Sequence, residues 1–172
     1  MTATLLPLKD FPDVQAGDDL GELIIDALTH NDLTLAEGDV IAIAQKVVSK
    51  AEGRQVALAT ITPTAEAEAL AQETGKDPRL VTLILQESTT VVRKRPGAPG
   101  VIVVEHQRGW VHANAGIDQS NIQVDERGAS ALLLPEDPDR SAATLRDHLE
   151  ARYGVRLGVL INDSFGRAWR VG

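Results

Sequence analysis

Val101-Ile102-Val103-Val104-Glu105-His106-Gln107-Arg108-Gly109-Trp110-Val111-His112-Ala113 is the stretch on which the fold class turns. β-branched residues crowd Val101 to Glu105 and recur from Trp110 to Ala113, and Arg108-Gly109 breaks them apart. Such runs, bounded by turn formers, predict strands. Thr89 to Val92 has the same character and is set off by a Pro/Gly-rich segment. Together the three runs predict an antiparallel sheet.

Helical signals lie on either side. Asp19-Leu20-Gly21-Glu22 reads as a capping box, and Leu20, Leu23, Ile24, Ala27 and Leu28 follow at helical spacing. Thr62-Pro63 opens a second helix that Gly75 closes, and Asp77-Pro78 opens a third carrying Leu80, Val81, Ile84 and Leu85. Asp137-Pro138 starts a fourth, with Ala142, Leu145 and Leu149 on one face and Gly154 at its end. Between these, Gly38-Asp39 turns into Val40 to Ala44, an apolar run that reads as a buried strand. A loop from Gln123 to Ala129 leads to Leu132 to Leu134, and Val159 to Ile161 is the last strand. Strands thus both cluster and alternate with helices, so the expected class is α+β, or mixed α/β, a sheet with flanking helices in one domain over residues 1–172.

Composition narrows the function. The 172 residues are 43% hydrophobic, enough for one core or a core with a small lobe. A formal charge of -8 offers no field for a phosphate backbone, which argues against a nucleic-acid partner. With no cysteine there is no disulfide, no zinc-thiolate site and no thiol nucleophile. Met1 to Leu8 lacks the basic start and apolar stretch of a signal peptide, and no apolar run approaches the roughly 20 residues of a membrane span. A cytoplasmic protein without a membrane partner is expected.

The P-loop, dinucleotide-fingerprint, zincin and nucleophile-elbow motifs are all missing. Two polar clusters remain, each directly after an expected strand: Asn114-Ala115-Gly116-Ile117-Asp118-Gln119-Ser120-Asn121 and Asn162-Asp163-Ser164-Phe165-Gly166-Arg167. Each sets a carboxylate beside amide or hydroxyl oxygens, a hard donor set that suits Mg2+ or Mn2+. Arg167 and Arg170 are candidate contacts for anionic oxygens nearby. Asp, Asn, Ser and Gly after a strand also serve simply as turn formers. A third stretch, Gln45 to Arg54, places Lys46 and Lys50 on one side if helical, where they would meet phosphates or simply face solvent. The four histidines are scattered; His30 and His148 read as surface groups, and His112 is a candidate only by its closeness to the first cluster. No residue is singled out as a catalytic acid, base or nucleophile.

Taken together, Gly17-Asp18-Asp19-Leu20, Val47-Val48-Ser49-Lys50-Ala51-Glu52-Gly53-Arg54, Ala115-Gly116-Ile117-Asp118-Gln119-Ser120-Asn121 and Asp163-Ser164-Phe165-Gly166-Arg167-Ala168-Trp169-Arg170 resemble the coenzyme F420-0:L-glutamate ligase family from about Phe11 to Gly172. The resemblance implies a GTP-dependent ligase that adds L-glutamate to coenzyme F420-0, then lengthens the tail through γ-linkages, with Mg2+ or Mn2+ and via an acyl phosphate. It implies metal-binding roles for Asp118, Asp163 and the Ser164 hydroxyl. It also implies nucleotide contacts for Phe11, Pro12, Asp13, Val14, Gln45, Lys50 and Asn121, and a homodimer. Similar enzymes continue well beyond Gly172, and some carry a flavin-dependent nitroreductase-like domain after the ligase. The expectation is therefore a C-terminally incomplete ligase domain; the alternatives are a truncated relative that binds nucleotide or deazaflavin without turnover, and a fragment of such a bifunctional chain.

Overall fold

A computed structural model describes residues 2–119 and 128–163. In chain order its elements are α1 (Leu20–His30), β1 (Val40–Ala44), α2 (Gln45–Ala51), β2 (Gln55–Ala57), α3 (Ala65–Thr74), α4 (Pro78–Gln86), β3 (Ser88–Arg95), β4 (Val101–His106), β5 (Val111–Ala113), β6 (Ser130–Leu132), α5 (Pro138–Tyr153) and β7 (Gly158–Asn162). They mix helices with parallel and antiparallel strand pairs, as an α+β class requires. The described residues divide into two compact units, one holding the chain up to Arg54 with Pro135–Asp163, the other Gln55–Leu134.

The first unit pairs β1 with β7 in parallel, Val40 opposite Gly158 through Ala44 opposite Asn162. Ile24 and Leu28 of α1, Ile43 of β1, Val48 of α2, and Leu145 and Leu149 of α5 close its core. Burying each such side chain stabilises by about 1.5–3 kcal/mol. The Asp19 carboxylate caps α1 by accepting from the N–H groups of Gly21 (2.9 Å) and Glu22 (3.2 Å). Glu22 turns its own carboxylate to His148 Nε2 at 2.9 Å, so His148 joins α5 to α1. Gly21 permits that approach, since a Cβ there would lie 2.8 Å from the His148 ring. β1 is less buried than its composition implies: it alternates, with Ile43 buried while Val40, Ala42 and Ala44 are exposed. Only one face of the pleat meets the helices of its unit.

The second unit sets the three-stranded antiparallel sheet β3-β4-β5 beside α3 and α4. Ile102 and Val104 of β4 point into a core with Leu70, Leu80, Val81 and Ile84. α3 begins two residues later than Thr62-Pro63 predicts, because the Thr64 hydroxyl caps it by accepting from the Ala67 N–H at 3.1 Å. Of the apolar run Leu132 to Leu134, only Leu132 belongs to a strand, β6 at Ser130–Leu132. The partner of β6 is the short β2, antiparallel, with Gln55 opposite Leu132 and Ala57 opposite Ser130. Gly75 and Gly154 close α3 and α5 in left-handed conformation, as expected.

Candidate functional site

In the first unit, the segment Phe11, Pro12, Asp13 and Val14 is strung between two anchors. Asn31, after the last turn of α1, accepts from the Lys9 N–H and donates to the Lys9 carbonyl, both at 3.1 Å. The Gly17 N–H donates to the Ala51 carbonyl at the end of α2 at 2.8 Å. Between these points Val14 is buried, and Phe11 packs partly buried on the core. Asp13 is left outside, where its Oδ1 accepts from Lys50 Nζ at 2.7 Å. The structure therefore joins two of the expected nucleotide contacts, Asp13 and Lys50, across 37 residues of chain.

The polar stretch after β1 is helical, so Lys46 and Lys50, four apart, do share a side of α2. Gln45 faces inward, buried with Ser49, and donates from Nε2 to the Ser49 Oγ at 2.6 Å. Glu52 fixes the far end of α2 by accepting from the Glu136 N–H (3.2 Å) and the Ser141 hydroxyl of α5. Because Ala44 lies opposite Asn162, the chain leaves both parallel strands at the same edge, with Gln45 and Asp163 the next residues out. Ligands of parallel α/β sheets gather at that carboxyl edge.

In the second unit, β5 runs into Asn114, Ala115 and Gly116, three successive left-handed residues (φ 52, 55 and 71). The Ile117 N–H closes this turn on the Asn114 carbonyl at 3.0 Å. Asp118 follows, half-buried, its backbone exchanging two hydrogen bonds with Leu132 at 3.0 and 2.8 Å. A Cβ on Gly116 would come within 2.7 Å of Leu134. The main chain beneath Asp118 is thus pinned on both sides.

Asn114, a member of the first polar cluster, and His106 were not singled out by themselves in the sequence. Asn114 Oδ1 is buried without a hydrogen-bond partner among the described residues. His106 is buried under Trp110, ring centroids 5.5 Å apart; its Nδ1 accepts from the Arg108 N–H at 3.1 Å while Nε2 stands 3.6 Å from the Glu87 carboxylate. Burial lowers its pKa, and Glu87 only partly offsets that. The signal available for Asn114 was its tolerance of left-handed backbone, which names a turn and not a site.

Ser164, Asn121, Arg167 and Arg170 lie outside the described residues, and so do Phe165 and Gly166 of the second cluster. Among the described residues no group of three or more His, Cys, Asp or Glu is arranged to hold a metal. Mg2+ and Mn2+ do not depend on such a group, since one or two carboxylates can act with amide oxygens, waters and substrate phosphates. Asp118 with the orphaned Asn114 oxygen is such a donor set. No helix described is long and apolar enough to cross a membrane.

Residues 9–172 match the family described as F420-0:Gamma-glutamyl ligase. The coenzyme F420:L-glutamate ligase of Methanopyrus kandleri is 47% identical over 159 residues, covering 92% of this chain and 58% of the relative. That of Methanothermobacter thermautotrophicus is 43% identical over 172 residues, all of this chain and 66% of the relative. That of Halobacterium salinarum is 42% identical over 167 residues, 94% and 59%. The chain thus spans between about half and two thirds of the length of these curated relatives.

Proposed function

This chain belongs to the F420-0:gamma-glutamyl ligase family, and from that premise we propose that it acts in a GTP- and divalent-metal-dependent ligase that joins L-glutamate to coenzyme F420-0 and then adds γ-linked glutamates. The observation that best supports the reading is the register of the parallel pair. Ala44 opposite Asn162 delivers Gln45 and Asp163 to one carboxyl edge, and the same α2 carries Lys50, held by Asp13.

A carboxylate does not react with an amine until one of its oxygens becomes a leaving group. In the proposed sequence an acceptor carboxylate oxygen attacks the γ-phosphorus of GTP and GDP departs. The glutamate amine then attacks the acyl carbonyl, loses a proton and expels phosphate. Mg2+ or Mn2+ supplies neutralisation of the charge gathered on the transferring phosphoryl group. Asp118, Asp163 and Ser164 are the residues that would hold such ions. Lys50 would pair with nucleotide phosphate, with Asp13 fixing its ammonium beforehand. Phe11, Pro12, Val14 and Asn121 would complete the nucleotide contacts with Gln45, while Lys46, Arg167 and Arg170 would bind anionic oxygens.

The test is mass spectrometry of F420-0 incubated with the full-length enzyme, L-glutamate, GTP and Mn2+ or Mg2+. Glutamyl additions that require GTP are expected, and Asp163→Asn should weaken Mn2+ binding and reduce turnover on the order of a hundredfold or more while the fold is kept. No GTP-dependent addition refutes the ligase reading. Full activity and metal affinity in Asp163→Asn refutes the role of that carboxylate.

A further inference from the structure

Asn114 sits in a turn whose backbone does not explain its side chain. The left-handed run Asn114-Ala115-Gly116 is tolerated by Asn, but glycine meets the same need without a polar side chain. Asn adds an amide, and its Oδ1 is buried with no donor among the described residues. Buried acceptors are nearly always satisfied by protein or by ordered water, so one left open in an ordered turn is a place that a water or a bound ion can fill. Ala115, the next residue, is fully buried, and the turn is closed by the Ile117 N–H on Asn114's own carbonyl. One residue further on is Asp118, its backbone locked to Leu132. The turn thus brings an uncommitted neutral oxygen and a carboxylate into one short, rigid stretch of the second unit.

We propose that Asn114 Oδ1 is a further oxygen donor of the divalent-cation site built on Asp118, adding a neutral hard ligand to that carboxylate. The proposal rests on the reading of Asp118 as a metal residue. A carboxylate with an amide oxygen is a donor pair that Mg2+ and Mn2+ accept, and a neutral donor adds affinity without overcharging a site that must also receive phosphate.

The experiment titrates Mn2+ alone into the full-length protein and follows free Mn2+ by electron paramagnetic resonance, with circular dichroism melting as the check on folding. Asn114→Gly keeps the left-handed backbone and deletes the oxygen, so Mn2+ affinity should fall by about tenfold or more. Asn114→Asp tolerates the same backbone and restores an acceptor, so it should bind Mn2+ at least as tightly as the native protein. A purely conformational role for Asn114 predicts the opposite ranking, with glycine as good as asparagine. Native affinity in Asn114→Gly, or an Asn114→Asp variant that binds as weakly as the glycine variant, overturns the inference. Asp118→Asn separates the two claims. If it lowers affinity while Asn114→Gly does not, the inference alone fails; if it leaves affinity unchanged, the metal reading of Asp118 fails and this inference goes with it.

Discussion

Gly116→Ala puts the turn ahead of Asp118 under direct load. At φ 71 an L side chain costs roughly 1–2 kcal/mol, and the added methyl would meet Leu134 Cδ1 at 2.7 Å, Cγ at 2.9 Å and Cδ2 at 3.0 Å. Leu134 is buried, so it has little space to retreat, and overpacking of that kind costs about 1–3 kcal/mol more. The sum is about 2–5 kcal/mol, which corresponds to a melting temperature lower by roughly 4–20 °C for a chain of this size. The two parts separate in a double-mutant cycle with Leu134→Ala. Truncating Leu134 removes the atoms that the new Cβ would strike, so the steric part should return as a favourable coupling of about 1–3 kcal/mol. The conformational part should remain. Thermal and guanidinium unfolding of the four proteins measures both. A Gly116→Ala variant that melts with the native protein, or a cycle with no coupling, would refute the account of this turn as sterically closed by Leu134.

Protonation of His106 should unsettle the β4-β5 turn. Its folded-state pKa is lowered from 6.5 by burial, with Arg108 and His112 adding to the effect and Glu87 opposing it, so the folded protein binds the proton less well than the unfolded chain. The stabilisation is therefore fully present above about pH 6.5 and declines as pH falls from there toward the lowered folded value. Protonation at Nδ1 also displaces the Arg108 N–H that it accepts. Denaturant titrations at several pH values, with Trp110 emission as a local reporter, should lose this slope in His106→Asn; an unchanged slope would assign it to other groups. At the candidate nucleotide site, Lys50→Ala should weaken GTP binding about tenfold or more while changing stability by less than about 1 kcal/mol, because the Lys50–Asp13 pair is partly exposed. Native GTP affinity in that variant, measured with a fluorescent analogue, would remove Lys50 from the site.

Reading the sequence located what short-range physics controls. A capping carboxylate, an apolar stripe and a closing glycine act within a few residues of one another, and so α1, α4 and α5 begin where Asp19, Asp77 and Asp137 indicate and α5 ends at Gly154. The β-branched runs identified β3, β4 and β5 for the same reason, and four ordered motifs carried the family. β2 escaped notice because three residues give no periodicity to read, and its existence depends on β6, more than 70 positions away. β1 was taken for a buried strand because composition does not say how many faces will be covered.

The candidate site divides along the same line. That Asp118, Asp163, Lys50 and Asn114 stand in polar motifs after expected strands was visible residue by residue. That Lys50 meets Asp13, that Gln45 turns inward to Ser49, and that Ala44 lies opposite Asn162 were decided by packing and strand register between segments distant in the chain. The consecutive left-handed residues at Asn114, Ala115 and Gly116 follow from tertiary structure as well, since the two-way backbone pairing of Asp118 with Leu132 and the cover of Leu134 over Gly116 hold a conformation that local preference alone would not choose for alanine. Chemistry-bearing residue types are a local property and can be read off the chain; which of them share a surface, and which polar atom is left waiting for a partner, is settled only when long-range contacts form.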